Sequence, residues 1–251
     1  MKMKTTLKTR LDKEAQKRNV ASELLPTASP DPMWIAKQHK DEFSALVCAL
    51  FAYGNARAIV NFLAQFPFEA LHVKSEAEFG AFEWKPYRFQ TAKDVEAFTL
   101  GLWRLKQNHS LNALFLEGYN AHQNVAEGVR ILVDMLHESV PHVSRGLAFL
   151  LGKPFTCKPK SPLKRWMLYL RWMVRKDAID LGLWKGVAPR DLLMPLDTHT
   201  FKVAHSLGLL KRKSYDFRAA EELTENLRVF DFDDPVKYDF ALFRLGQERG
   251  I

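Results

Sequence analysis

The feature that most limits the fold of this chain is the return of apolar residues at intervals of three and four. Val95, Phe98, Leu102 and Leu105 mark one stripe, Leu111, Leu114, Phe115 and Tyr119 a second, and Val125, Val129, Leu132, Val133 and Leu136 a third. A period near 3.6 places each set on one side of a helix, whereas a half-buried strand would alternate every second residue. The sequence between the stripes is short and polar, as between neighbours in a helical bundle. No run of alternating β-branched residues is long enough to make a sheet. The expected fold is all-α. Asp41 to Tyr53 (DEFSALVCALFAY) is apolar nearly all round, the pattern of a buried helix, with Asp41 and Glu42 at its positive end. Gly54-Asn55 stops it as a helix terminus, with a ligand role for Asn55 as the lesser alternative. A further helix over 56–66 turns Ile59, Val60, Phe62 and Leu63 inward. Toward the end of the chain, helices are expected over 216–229 and 234–247, the second capped by Asp233 or Asp234 with Pro235 in its first turn.

Residues 5–19 (TTLKTRLDKEAQKRN) carry little apolar stripe, so a solvated helix or a tail that orders on binding is expected there. The turn-rich ELLPTASPDP at 23–32 separates it from the body. The domain reading is a basic N-terminal tail over 1–30 and one helical domain over 31–251. With 47% apolar residues the chain can bury a proper core. Cys48 and Cys157 permit neither a disulfide framework nor a four-thiolate metal site, which suits a reducing compartment. The positive N-terminus lacks the apolar run of a secretory signal, and no stretch approaches the roughly 18 apolar residues of a membrane span. The chain is expected to be soluble and cytoplasmic.

Charge sharpens the expectation. From Lys153 to Lys176 the sequence KPFTCKPKSPLKRWMLYLRWMVRK holds Lys153, Lys158, Lys160, Lys164, Arg165, Arg171, Arg175 and Lys176 with no Asp or Glu, and the whole protein carries a net charge of +8. A local excess of this kind fits a surface that meets a polyanion. Leu163, Trp166, Met167, Leu170, Met173 and Val174 follow helical spacing and should face inward. Lys164, Arg171 and Arg175 are left on one flank, with Arg165, Tyr169, Trp172 and Lys176 beside them. Cations interleaved with aromatics suit phosphate contact and base stacking. The plainer alternative is a solvated basic helix whose stems lie on apolar surface.

Ser161-Pro162 reads as a helix start, with Ser as N-cap and Pro in the first turn. Lys164 then lies where the helix dipole and neighbouring cations oppose protonation of its amine, and such an amine can act as a nucleophile. Asp197 follows Pro195-Leu196 and opens a helix through THTFKVAHSLGL, whose buried stripe is Phe201, Val203, Ala204, Leu207 and Leu209. A carboxylate there could support positive charge on a sugar or align a water, or simply cap the helix. His137, Glu138 and His142 do not have zinc-protease spacing, because Pro141 interrupts the helix. Phosphate-binding and nucleophile-elbow motifs are missing from the sequence.

The strings LKRWMLYLRWMVRKD, LGLWKGVAPRDLLMPLDTHTFKVAHSLGLL and DDPVKYDFALF, with Tyr53-Gly54-Asn55 and Tyr87-Arg88-Phe89, resemble an uncharacterised bacterial family known as a domain of unknown function, over roughly residues 30–250. More distantly, LDTHTFKVAHSLGL is similar to the helix after the hairpin in the helix-hairpin-helix DNA glycosylases. That resemblance implies two helical subdomains around a cleft, a catalytic aspartate at Asp197 and a catalytic lysine at Lys164. CKPKSP stands where the superfamily has its Gly-x-Gly hairpin, the spacing from Lys164 to Asp197 is long, and the iron–sulfur cysteines are missing. A diverged member without the cluster, closer to the compact 8-oxoguanine glycosylases, is implied.

The function expected on this basis is a base-excision DNA glycosylase with AP lyase activity, acting on an oxidised purine such as 8-oxoguanine. The alternative is a non-catalytic DNA- or RNA-binding helical protein. Lys158, Lys160, Arg165, Arg171 and Lys202 are the expected DNA contacts, and Phe89, Trp172 and His199 the expected walls of the base pocket. The partner implied is damaged double-stranded DNA, met by a monomer near the nucleoid, with no metal or cofactor.

Overall fold

The computed structural model describes residues 2–25, 30–156 and 158–249. Residues 26–29 of the turn-rich ELLPTASPDP and Cys157 of TCKPKS lie outside them. The described residues form thirteen α-helices, joined by coil and short 3-10 turns, and contain two isolated β-bridges but no strand. The helical expectation therefore holds. The chain divides into two compact units, one made of residues 25–157 and the other of residues 1–24 with 158–251.

The 25–157 unit holds α2 (Met33–His39), α3 (Glu42–Leu50), α4 (Ala56–Leu63), α5 (Glu76–Phe79), α6 (Ala92–Asn108), α7 (Leu111–His122), α8 (Val125–Ser139) and α9 (Arg145–Leu151). Every residue of α3 after Glu42 is buried, and Asp41 caps it by accepting from the Ser44 N–H at 2.8 Å. Glu42 instead reaches the start of α7, where its two oxygens accept from the N–H groups of Leu111 and Asn112 at 2.9 and 3.0 Å. That carboxylate satisfies donors a helix start leaves without partners. α3 ends at Leu50 with Phe51 as its cap, short of the expected stop at Gly54-Asn55, and Asn55 instead caps the start of α4 by accepting from the Arg57 and Ala58 N–H groups. α7 and α8 pack closely, because a Cβ on Gly128 would lie 2.5 Å from the Phe115 ring and one on Gly118 would lie 2.4 Å from the Glu127 carbonyl oxygen.

The other unit holds α1 (Lys2–Arg18), α10 (Lys164–Val174), α11 (Thr198–Ser206), α12 (Phe217–Arg228) and α13 (Asp239–Arg249). Here the structure departs from the expected tail. α1 packs against α13 and the 3-10 turn Pro235–Tyr238, Leu11 is fully buried, and the Tyr238 hydroxyl donates to Asp12 at 2.7 Å. Leu11 anchors this largely polar helix, and Asp12 beside it also pairs with Lys237 at 3.3 Å across the contact. The start of α10 also differs. The helix begins at Lys164, and Leu163 holds the cap position in a left-handed conformation (φ 49°) without a side-chain cap bond, so Ser161 is not the N-cap.

Candidate functional site

α10 reaches its site through a backbone turn that side-chain patterning does not announce. The left-handed Leu163 ends the coil, and Lys164 is the first helical residue, its side chain about one third exposed. Asp197 is the N-cap of α11, as its position in the sequence suggests. One carboxylate oxygen accepts from the Thr200 N–H at 2.7 Å, while the other faces the Lys164 Nζ at 3.8 Å. The carboxylate thus performs two tasks at once, holding the helix start and facing an amine. The two groups that sequence reasoning paired lie within ion-pair distance inside one compact unit.

Their surroundings include residues that patterning did not single out. Tyr215 donates from its hydroxyl to the Leu196 carbonyl at 2.8 Å, and burial, helped by the Asp197 charge, pushes its phenol up to about 12. Asp239, first residue of α13, is buried on the Arg171 guanidinium. Burial raises its carboxyl to about 6 against the pull of Arg171, with the Asp197 charge adding to the rise and Lys164 opposing it. The buried Thr200 hydroxyl, in the first turn of α11, has no hydrogen-bond partner among the described residues. A lysine amine, an aspartate and a second, buried carboxyl that feels both charges can move protons and stabilise a developing cation.

The rest of the basic stretch is not the open cationic face the sequence suggests. Arg171 is buried, donating from Nε to Asp180 at 3.1 Å and from Nη1 to Asp239. Arg175 donates to both oxygens of Asp234 at 3.0 Å and pairs with Asp177 at 2.9 Å and with Asp180. These carboxylates lie in the segment just after Lys176 and at the start of the last helical region, beyond the acid-free window. Isolated charges are too costly to bury, so the arginines that turn inward are those that find carboxylates there. Arg171 is therefore an internal ion-pair residue and is withdrawn from the DNA-contact set. Trp172 is withdrawn from the base pocket for a related reason. It is 1% exposed, and its indole N–H is enclosed without a partner among the described residues. Tyr169 and Trp166 are buried as well, with Tyr169 edge-on to Trp166 and Trp184, so α10 turns all three of its aromatics into the core.

The remaining candidates keep their access to solvent. Lys158 is exposed and pairs with Glu221 at 2.7 Å, Lys160 and Lys202 are exposed, and Arg165 is half-buried. His199 is exposed on α11, its Cβ 3.3 Å from where a Cβ on Gly246 of α13 would lie. Phe89 belongs to the 25–157 unit, at the exposed tip of a turn. A cavity of about 380 Å³ in the other unit is lined by Asp12, Arg18, Arg171, Arg175, Asp180 and Lys237, among others, and by neither Lys164 nor Asp197. No helix among the described residues is long and apolar enough to cross a membrane.

No curated protein matches the chain, and no solved structure does. A match to the family described as "Protein of unknown function (DUF2400)" extends over residues 31–248, almost the whole body of the protein beyond α1. The chain, with its lysine and aspartate meeting at two helix starts, belongs to that family.

Proposed function

We propose that the protein is a DNA glycosylase with an associated lyase step, of the helix-hairpin-helix kind, acting on an oxidised purine. One observation carries the reading: the Lys164 amine and the Asp197 carboxylate, on separate helices, lie 3.8 Å apart and both reach solvent. Cutting a base from duplex DNA requires the nucleotide to be extruded so that its C1′ meets the catalytic groups. The Lys164 amine bonds to C1′ as the bond from C1′ to the base breaks, and the base leaves with the electron pair and takes up a proton. Asp197 stabilises the positive charge that develops on the sugar and accepts the proton the amine loses. The nitrogen lone pair then opens the sugar by breaking the C1′–O4′ bond, with O4′ taking up a proton, and the Schiff base so formed loses a C2′ proton to a base as the 3′ phosphate is eliminated. Lys158, Lys160, Arg165 and Lys202 hold the backbone, and His199 sits two residues after Asp197 to meet the base.

Borohydride trapping on a duplex carrying 8-oxoguanine tests this. The wild type forms a covalent complex, Lys164→Gln forms none, and Asp197→Asn is slowed by about 100-fold or more, the scale expected when a positioned charge is lost from a transition state. Full trapping in Lys164→Gln overturns the assignment. The second reading, a non-catalytic DNA-binding protein, is favoured by the bond from Asp197 to the Thr200 N–H, which gives that carboxylate a purely structural task. It predicts no trapping in any variant.

A further inference from the structure

The Tyr87–Gln90 turn in the 25–157 unit is built in a way that packing alone does not explain. Tyr87 and Gln90 exchange both backbone hydrogen bonds at 2.9 Å, which leaves Arg88 and Phe89 as the two tip residues. Arg88 is in the left-handed region (φ 51°), at the first central position, where such turns ordinarily place glycine. An arginine there keeps a strained backbone, and strain of this kind persists only where the surroundings enforce it. They do. Gln90 is buried, with its side-chain amide donating to the Gly146 carbonyl at 2.7 Å and its oxygen accepting from the Tyr53 hydroxyl, and the Tyr87 hydroxyl donates to the Tyr53 carbonyl at 2.7 Å. Gly54 (φ 102°) leaves room for the guanidinium, because a Cβ there would lie 2.8 Å from the Arg88 Nη1.

This scaffold holds aromatic rings at the surface. Phe89 is 58% exposed and Phe149 is 43% exposed. The Phe89 ring is parallel to that of Tyr53 with centroids 6.1 Å apart, and Phe149 stands edge-on to both at 4.9 Å. The Arg88 guanidinium lies 5.9 and 5.6 Å from the Tyr53 and Phe89 centroids, and no carboxylate pairs with it among the described residues. A partner for an apolar groove would leave that cation uncompensated, and a membrane would need a wider apolar face. A flat π-system attached to a phosphate satisfies both parts, with the ring on Phe89 and the anion at Arg88.

We infer that the Tyr87–Gln90 turn is a stacking contact for an unpaired base of a DNA strand, with Phe89 against the base and Arg88 toward its phosphate. The choice of DNA rests on the function proposed above, and the test separates the two. The full-length protein is titrated into a single-stranded oligothymidylate carrying one 2-aminopurine, whose fluorescence falls on stacking. The wild type binds and quenches. Phe89→Ala weakens binding by roughly 5- to 100-fold, the loss expected for one base–aromatic stack, and removes the quench, while Phe89→Trp keeps both. Arg88→Gly relaxes the turn and holds the fold, yet also weakens binding. Wild-type affinity and quenching in both Phe89→Ala and Arg88→Gly overturn the proposal, as does a wild type that binds only the ribo-oligonucleotide or neither. Protein that quenches without borohydride trapping keeps this contact and loses the lyase, and protein that traps without quenching does the reverse.

Discussion

Asp239 shows how a single residue can link the interior to the surface pair. Its carboxyl is raised to about 6 chiefly by burial, while the Arg171 guanidinium pulls it down. A carboxyl whose native value exceeds its unfolded one holds its proton in the folded state over a window where the unfolded chain has released it. Folding stability from this group is therefore highest at low pH and declines as pH rises through that window. Relative to Asp239→Asn, the wild type should lose on the order of 2 kcal/mol between about pH 4 and about pH 7. Urea unfolding of both proteins at several pH values measures this, and a constant difference across the range would show that Asp239 does not titrate as placed. The other carboxyls around Arg175 do not cancel the comparison, since both proteins contain them.

At the scale of elements, contact distance decides which glycines the helices need. In α8 a Cβ on Gly128 would press on the Phe115 ring at 2.5 Å and on its carbonyl oxygen at 2.8 Å, and the carbonyl cannot move without shifting α7. Alanine improves helix propensity by about 1 kcal/mol, but overpacking costs about 1–3 kcal/mol, so Gly128→Ala should be destabilising on balance. Gly80, at the end of α5, has an ordinary helical backbone (φ −64°), and a Cβ there would meet nothing closer than 3.6 Å. Gly80→Ala should be neutral or stabilise by up to about 1 kcal/mol. Thermal melts of the two variants should shift in opposite directions, and a stabilised Gly128→Ala would mean that α7 and α8 separate more easily than their packing suggests.

For the whole molecule the net charge of +8 is distributed unevenly between depth and surface. Arg171 and Arg175 are engaged by Asp177, Asp180, Asp234 and Asp239, whereas Lys160 and Lys202 are open to solvent. Only exposed cations can displace counterions from DNA. Lys160→Gln and Lys202→Gln should each lower the log–log salt slope of duplex binding by about 1, with affinity falling for every sequence alike. Arg175→Gln should leave the slope of the folded protein unchanged and lower its stability instead. Fluorescence anisotropy over a range of salt concentrations distinguishes these outcomes. An unchanged slope in both lysine variants would remove this face from the DNA contact.

The helices and several of their ends were legible in the sequence because they depend on neighbours three and four residues away. The stripes through Val95 to Leu136, the acids at Asp41 and Glu42 and the cap at Asp197 all follow from such local spacing. The meeting of Lys164 and Asp197 was suggested by resemblance, but only the fold brings their charges to within 3.8 Å. What the sequence did not reveal depends on partners distant along the chain. The acids that draw Arg171 and Arg175 inward lie beyond the basic stretch, α1 packs with helices from the far end of the chain, and Trp172 is sealed where surface stacking was expected. The left-handed residues Arg88 and Leu163 belong here too, since a non-glycine side chain gives no sign of a positive φ that the surrounding structure imposes. Short-range periodicity is written along the chain, whereas the burial of a charge is decided by which carboxylates the folded backbone delivers to it.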